Sequence, residues 1–174
     1  MTNKEIIKKL RDYAELAWAS YGYFHYFLEK QSKSYFLVIQ DEKGKEIKDI
    51  DNKLKIKEIY ITDILKTKYK NYRVVELVQL GKEHKEITVG TLKGDFTPTQ
   101  AKNFFDRYDL LEHCPNTDSG FSATLFKDLG EVDKKANTRK AVDKDSQYIL
   151  SFRGTEISTN KIEEAKVSPK PYNE

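Results

Sequence analysis

The chain has 174 residues and a formal net charge of +3 at pH 7, from 31 basic and 28 acidic side chains. The length fits one domain of roughly 100–200 residues, and the near-even charge balance excludes the strongly basic surface of a typical nucleic-acid-binding protein. The single cysteine, Cys114, excludes an intramolecular disulfide framework and a multi-cysteine metal site. No apolar run approaches the ~18 residues that span a membrane. The first residues also lack the continuous apolar core of a secretory signal, so we expect a cytoplasmic protein.

The N-terminal segment predicts a long amphipathic helix. Thr2 and Glu5 have the spacing of a capping box, which marks a helix start. Apolar residues then recur on one face at helical spacing, and we call them the apolar stripe: Ile6, Leu10, Tyr13, Ala14, Ala17, Tyr21, Phe24 and Leu28. The stripe predicts packing on a core or on a partner, and its tyrosines leave a ligand or membrane contact open as the alternative.

The middle of the chain predicts a small sheet, antiparallel or mixed. Residues 35–39 form a strand-like apolar run. Residues 72–78 and 87–92 flank a polar turn and favour a hairpin, with a helix over 72–80 as the alternative. Residues 54–65 place Ile and Leu at spacings that are more helical than strand-like.

A second helix is predicted over residues 98–112. Thr97 suits its N-cap, and Pro98 suits the first helical position because its missing N–H has no helical partner there. The apolar residues that share one face of this helix are Ala101, Phe104, Phe105, Tyr108 and Leu111.

Two core strands are predicted near the C-terminal end. Residues 120–126 alternate as a strand, residues 129–146 form a polar and solvated loop, and residues 147–153 form an apolar strand. We expect residues 1–156 to be a single region of the α/β class, with α+β as the alternative. Residues 157–174 are expected to form a weakly ordered tail.

The two strand segments also carry a family signal. Residues 120–126 are Gly-Phe-Ser-Ala-Thr-Leu-Phe, and residues 148–156 are Tyr-Ile-Leu-Ser-Phe-Arg-Gly-Thr-Glu. An apolar strand that ends in Phe-Arg-Gly-Thr resembles the strand and following loop of class 3 lipases in the α/β-hydrolase superfamily, bacterial lipase-like proteins among them. The resemblance directly covers residues 115–156 and implies a partial α/β-hydrolase-like core.

In these lipases the loop after the strand supplies one donor of the oxyanion hole. The resemblance therefore assigns Gly154 and Thr155 as oxyanion-loop candidates, with Arg153 as a structural neighbour. Gly154 permits a sharp turn, and the backbone N–H of Thr155 is expected to follow a buried strand without an intrachain partner, since a preorganised donor must be unoccupied.

The sequence also departs from the lipase pattern. A lipase needs a nucleophile elbow, Gly-x-Ser-x-Gly, followed by Asp and His, and no such elbow is present. The segment 120–124 comes closest but ends in Thr124, and it precedes the oxyanion strand instead of following it. The resemblance thus implies the N-terminal part of a serine lipase or esterase acting on carboxylic ester bonds of lipids, truncated before its triad. No catalytic residue is assigned, and enzyme status stays open.

Other chemistry finds less support in the sequence. Cys114 beside His113 suggests a nucleophile and base, but adjacent residues of a helix do not face each other. His25, His84 and His113 lack metal-ligand spacing, so we assign no metal site. The glycines form no phosphate loop, so we assign no cofactor.

Two hypotheses follow from the sequence. The first is the lipase-like fragment, inactive alone, which meets a lipid or ester substrate only when a downstream part is supplied. The alternative is a small non-catalytic interaction protein whose aromatic amphipathic helix binds a partner or self-associates. Nucleic acid is not an expected partner in either case.

Overall fold

The computed structural model describes residues 1–29, 33–80, 83–117, 120–133, 135–136, 138–142, 144 and 147–154. The predicted mixture of helices and strands in an α/β chain is confirmed, and it begins with a long N-terminal helix. The helices are α1 (Asn3–Ala19), α2 (His25–Leu28), α3 (Ile61–Leu65) and α4 (Pro98–Arg107), with a 3₁₀ turn at Thr67–Tyr69.

The described strands form two antiparallel sheets and a short hairpin. The strands are β1 (Tyr35–Val38), β2 (Ile56–Glu58), β3 (Arg73–Leu80), β4 (Glu83–Thr91), β5 (Tyr108–Cys114), β6 (Ser122–Asp128), β7 (Val132–Asp133), β8 (Thr138–Arg139) and β9 (Tyr148–Arg153). The first sheet has the order β2-β1-β3-β4, the second β5-β6-β9, and β7 pairs with β8. The hairpin predicted from residues 72–78 and 87–92 is therefore confirmed as β3 and β4.

The segment 54–65 is a strand followed by a short helix, whereas its spacing favoured a helix throughout. Strand β2 pairs with β1, opposing Ile56 to Val38. This pairing satisfies the backbone groups of β2 across strands, so α3 begins only at Ile61.

Helix α1 begins as predicted but ends earlier. The Thr2 hydroxyl accepts a hydrogen bond from the Glu5 backbone, and the Glu5 carboxylate accepts one from the Thr2 N–H, which completes the capping box. The helix ends at Ala19, and a turn through Gly22 precedes α2. At Gly22 an added Cβ would lie 2.8 Å from the buried Phe24 ring, so this turn needs a residue without a side chain.

The face of α1 that packs on the protein is not the predicted apolar stripe. Asp12, Leu16 and Ala19 are the buried residues of the helix, whereas Leu10 in the stripe is 63% exposed. The expectation that the stripe packs on this chain's own core is therefore wrong for its residues up to Tyr21, whereas Phe24 lies in the core and Leu28 packs against it. A role of the exposed part towards a partner stays a prediction. The stripe residues exposed on α1 and just beyond it are Ile6, Leu10, Tyr13, Ala14, Ala17 and Tyr21.

An ion-pair cluster explains the rotation of α1. Arg107 Nη1 lies 2.6 Å from an Asp12 carboxylate oxygen, and Arg107 Nη2 lies 2.8 Å from an Asp128 oxygen. The side chains are 21% (Arg107), 10% (Asp12) and 9% (Asp128) exposed. Because charges so deep need partners, Asp12 turns towards Arg107, and the stripe turns towards solvent.

The predicted helix over 98–112 ends at Arg107. Its start is confirmed, since the Thr97 hydroxyl accepts a hydrogen bond from the Gln100 N–H and Pro98 stands at the first turn. At Tyr108 the chain passes directly into β5, which pairs with β6. Pairing between distant segments thus overrides the helical spacing after Arg107.

The polar segment 129–146 contains the β7–β8 hairpin instead of being loop throughout. The side chains of both strands are exposed, in agreement with its predicted solvated character. The tail predicted over 157–174 lies outside the described residues.

One core joins both sheets to the helices. Phe24 is fully buried, and its ring meets the Phe105 and Phe126 rings edge to face at 6.2 and 5.9 Å. Aromatic pairs in this geometry add to the stability that burial alone provides. The core therefore fixes the α1–α2 turn against the second sheet, next to the end of β9.

Candidate functional site

The two segments that carry the lipase resemblance are neighbouring strands. Strands β6 and β9 pair antiparallel along their length, from Ser122 opposite Arg153 to Lys127 opposite Tyr148. The polar segment between them therefore connects two adjacent strands of one sheet.

Strand β9 forms an edge of this sheet within the described residues. Its inner side chains are half-buried or buried, and Ser151 Oγ donates a hydrogen bond to the Leu16 carbonyl in α1. Its outer side chains, Tyr148, Leu150 and Phe152, are 54–59% exposed. The expectation that a buried strand precedes Thr155 is therefore wrong for Leu150 and Phe152, which are exposed, while Ile149 and Ser151 are half-buried.

Arg153 ends β9 and is held by aromatic rings. It is 6% exposed, and its guanidinium carbon lies 5.2 Å from the ring centroids of both Tyr21 and Tyr23. A guanidinium so close to aromatic faces is stabilised electrostatically. Arg153 thus joins the end of β9 to the turn after α1.

Gly154 follows at the protein surface. An added Cβ would lie 3.0 Å from the Tyr21 hydroxyl, which is closer than ordinary van der Waals contact. Glycine therefore suits this position. Thr155, the second oxyanion-loop candidate, lies outside the described residues, so the assignment of its backbone N–H stays a prediction.

Ser122, in the segment closest to a nucleophile elbow, is fully buried. Its hydroxyl donates a 2.9 Å hydrogen bond to the Cys114 carbonyl. A nucleophile must reach substrate and must have a base within hydrogen-bond reach, so Ser122 has a structural role.

A cavity of about 320 Å³ lies beside Arg153, and we call it the Trp18 cavity. Small-molecule sites range over ~300–1,000 Å³, so this one admits a small ligand. The cavity is lined by Trp18, Tyr21, Gly22, Leu65, Lys93, Gly94, Asp95, Phe96 and Arg153.

Close backbone packing shapes the cavity wall. The Phe96 N–H donates a 2.7 Å hydrogen bond to the Leu65 carbonyl, and the Phe96 carbonyl accepts one of 2.8 Å from Thr67. A Cβ on Gly94 would collide with the Leu65 carbonyl group. Only glycine lets the two chain segments approach this closely.

Charged groups stand among the apolar walls. The Lys93 ammonium lies 5.8 Å from the Tyr23 ring centroid, and Asp95 forms an ion pair with Lys70. Arg153 adds a second cation. Charged groups of both signs therefore line the cavity.

His113 and Cys114 lie on β5, not on a helix. His113 is half-buried and Cys114 is exposed, because successive side chains of a strand point to opposite faces. The ring of His113 stacks on that of His25 with centroids 6.0 Å apart, and its Nδ1 lies 2.9 Å from Thr124 Oγ1. The two residues therefore do not form a nucleophile–base pair.

Burial lowers the pKa of His113 to about 4, and the positive charges of His25 and Arg153 act in the same direction. The imidazole is therefore neutral at pH 7. The side chain of His84 lies outside the described residues.

Sequence reasoning missed the Trp18 cavity. Its residues come from the end of α1, the α1–α2 turn, α3, the segment 93–96 and the end of β9, and no periodicity links segments so far apart.

No helix among the described residues is both long and apolar enough to cross a membrane. No protein-family model, curated protein or solved structure matches this chain.

Proposed function

We propose that this chain is the N-terminal part of a serine lipase- or esterase-like hydrolase that acts on carboxylic ester bonds of lipids. By itself the chain is inactive, because it holds the strand and loop of the oxyanion hole but no nucleophile or triad. The observation that carries the proposal is the β6–β9 pair, at whose end Arg153 lines the Trp18 cavity.

The chemistry of acyl transfer explains why such an arrangement is useful. Negative charge develops on the carbonyl oxygen in the transition state, and a backbone N–H already aimed at that position stabilises it. The tyrosine contacts of Arg153 hold the end of β9 in place. Because the end of the strand is held rigidly, the loop after it begins from a fixed position.

The edge position of β9 also supports the proposal that a further part of the hydrolase packs against this chain. An edge strand with exposed apolar side chains is a template for pairing with a further strand. In a complete hydrolase, that strand and the segment carrying the nucleophile would cover Leu150 and Phe152.

The decisive experiment combines this chain with the polypeptide that is encoded by the DNA following its coding region. We expect one reading frame to encode a Gly-x-Ser-x-Gly elbow, and co-expression to yield hydrolysis of p-nitrophenyl octanoate. In the joined protein Gly154→Val should abolish activity, because the added side chain meets Tyr21. The matched control Ala136→Val, in an exposed turn, should retain it.

Absence of an elbow in all three frames, or an inactive joined protein, would overturn the proposal. The chain alone should show no ester hydrolysis above buffer. Turnover that survives repurification and is abolished by a serine reagent would contradict the assignment of an inactive part.

A second candidate function is a non-catalytic interaction protein. The observation that favours it is the exposed apolar stripe of α1, since large apolar patches on a protein surface mark interaction sites. Retained association with a partner after removal of the stripe by Leu10→Glu would count against this candidate.

A further inference from the structure

We infer that a second copy of this chain packs on the exposed side of α1, with the two α1 helices antiparallel. The inference does not rest on the hydrolase proposal, because it needs neither an ester substrate nor a further part of a hydrolase. It rests on the second candidate function and deepens it, since it names the partner that the apolar stripe contacts.

The exposed side of α1 carries the spacing of a helix–helix contact. Steps of three and four residues alternate along it, and such a seven-residue repeat is typical of a helix that packs lengthwise on another helix. A flat surface requires only a broad apolar face and sets no such repeat. The residues in this spacing, which we call the α1 seam, are all exposed: Ile7, Leu10, Ala14, Ala17 and Tyr21.

The α1 seam is complementary to itself when the second helix runs the other way. Small side chains let two helices approach closely, and Ala14 and Ala17 stand at the middle of the seam. In an antiparallel pair, Ala14 of each copy faces Ala17 of the other, and Leu10 of each faces Tyr21. A two-fold axis makes every such contact twice. The helices therefore come closest at the alanines, and the larger side chains fill the space on both sides.

The charges of α1 also favour the antiparallel direction. The side chain of Arg11 is 63% exposed, and Trp18 is half-exposed. Antiparallel packing places Arg11 of one copy beside Trp18 of the other, and a guanidinium over an indole ring is stabilising. A parallel pair would instead bring together the two basic N-terminal halves and the helix ends of like partial charge.

The area available indicates a weak dimer. The large apolar side chains on this side of the chain expose on the order of 600 Å². A pair can therefore bury at most about 1,200 Å², which is the lower end for specific interfaces. We expect a dissociation constant on the order of 10–100 µM.

Sedimentation equilibrium over a concentration series tests the dimer and its closest contact. Ala14→Leu should raise the dissociation constant at least ~10-fold, because the larger side chain separates the helices where they come closest. The matched control Ala136→Leu, in an exposed turn, should leave the dissociation constant unchanged. Thermal melts of Ala14→Leu at low concentration should match the wild type, since this position is exposed and leucine is a good helix former.

Disulfide crosslinking tests the direction of the helices. The background is Cys114→Ser, which removes the exposed native thiol. A chain with Leu10→Cys, mixed with a chain with Tyr21→Cys, should form a crosslinked pair on oxidation. Leu10→Cys alone should not, because the two copies of position 10 lie about 16 Å apart along antiparallel helices, well beyond the reach of a disulfide.

Four results would overturn the inference: a wild type that is monomeric up to roughly 1 mM, an equal effect of Ala14→Leu and Ala136→Leu, crosslinking of Leu10→Cys with itself, or association with phosphatidylglycerol vesicles that Ala14→Leu strengthens. The last result would identify a lipid surface as the occupant, because added apolar area tightens that contact. A monomeric chain that still binds another protein through Leu10 would overturn this inference and leave the second candidate function standing. The hydrolase proposal is tested separately, on the joined protein.

Discussion

Replacing Arg107 with methionine should be among the most destabilising single changes in this protein. Arg107 joins α4 to Asp12 in α1 and to Asp128 at the end of β6, through contacts of 2.6 and 2.8 Å. Methionine keeps most of the side-chain volume but leaves two largely buried carboxylates without their shared cation. Breaking a buried ion pair by removing one partner costs about 3–5 kcal/mol.

The contacts that remain place the expected loss near the lower end of this range. Asp12 keeps Arg11 at 3.0 Å, and Asp128 keeps the Gly130 N–H at 2.8 Å. We therefore expect the free energy of unfolding to fall by about 3 kcal/mol, out of a typical ~5–15 kcal/mol. With a urea m-value of ~2 kcal/mol/M, the midpoint should fall by about 1.5 M.

Urea unfolding followed by Trp18 fluorescence and far-UV circular dichroism measures this loss. The matched control is Lys102→Met, which removes an exposed i,i+4 pair with Asp106 on the same helix and should cost less than about 0.5 kcal/mol. A loss below about 1 kcal/mol for Arg107→Met, or an equal loss for the control, would refute the argument that burial makes this cluster important.

The same cluster gives a pH dependence with a definite sign. Burial would raise the pKa of Asp12, but hydrogen bonds from Arg107 and Arg11 outweigh it and hold that pKa below its ordinary value. A carboxyl group with a lowered folded-state pKa stabilises the protein above its unfolded pKa of ~3.9. This stabilisation is lost as the pH falls through the folded-state pKa, and Arg107→Met should reduce that acid sensitivity.

Three further perturbations test other parts of the structure. The pKa of His113 is about 4 when folded and 6.5 in its ordinary state, so the unfolded chain binds the extra proton between these values. The free energy of unfolding should therefore fall as the pH drops from about 6.5 to 4, by less than about 3 kcal/mol because the ring is partly exposed. Urea melts of His113→Gln should lack this pH dependence. An unchanged pH dependence in the variant would contradict the lowered pKa of His113. The wild-type chain should self-associate with rising concentration in light scattering, and Leu10→Glu in the exposed stripe should reduce association without lowering stability; a strictly monomeric wild type would count against an unpartnered surface. Gly94→Ala should lower the free energy of unfolding by about 1–3 kcal/mol because its Cβ collides with the Leu65 carbonyl group. In the control Gly44→Ala, the Cβ meets no atom within 4 Å, and the positive φ alone should cost about 1 kcal/mol. Equal melts for the wild type and Gly94→Ala would show that the backbone around Leu65 moves to make room for the Cβ.

Local signals in the sequence determined where several elements begin. The capping box at Thr2 and the N-cap at Thr97 form as predicted, because a cap is satisfied within four residues and needs no distant partner. The β3–β4 pairing was predictable for the same reason, since its two strands are close neighbours in the sequence. The pairing of segments 120–126 and 147–153 agrees with the two core strands expected from their apolar runs.

Interactions between distant segments decided the rest. The end of α4 at Arg107 depends on β6, which is the strand that β5 joins. The orientation of α1 depends on Arg107, which lies 95 positions from Asp12 along the chain. Helical periodicity shows which residues share a face of the helix, but it does not show whether that face points to the core or to solvent. The sequence by itself thus determined the caps, most of the strands and the apolar stripe. Only tertiary structure decided that the part of the stripe on α1 faces solvent and that Trp18, Leu65, Phe96 and Arg153 line a cavity, because both follow from packing between segments that no local pattern connects.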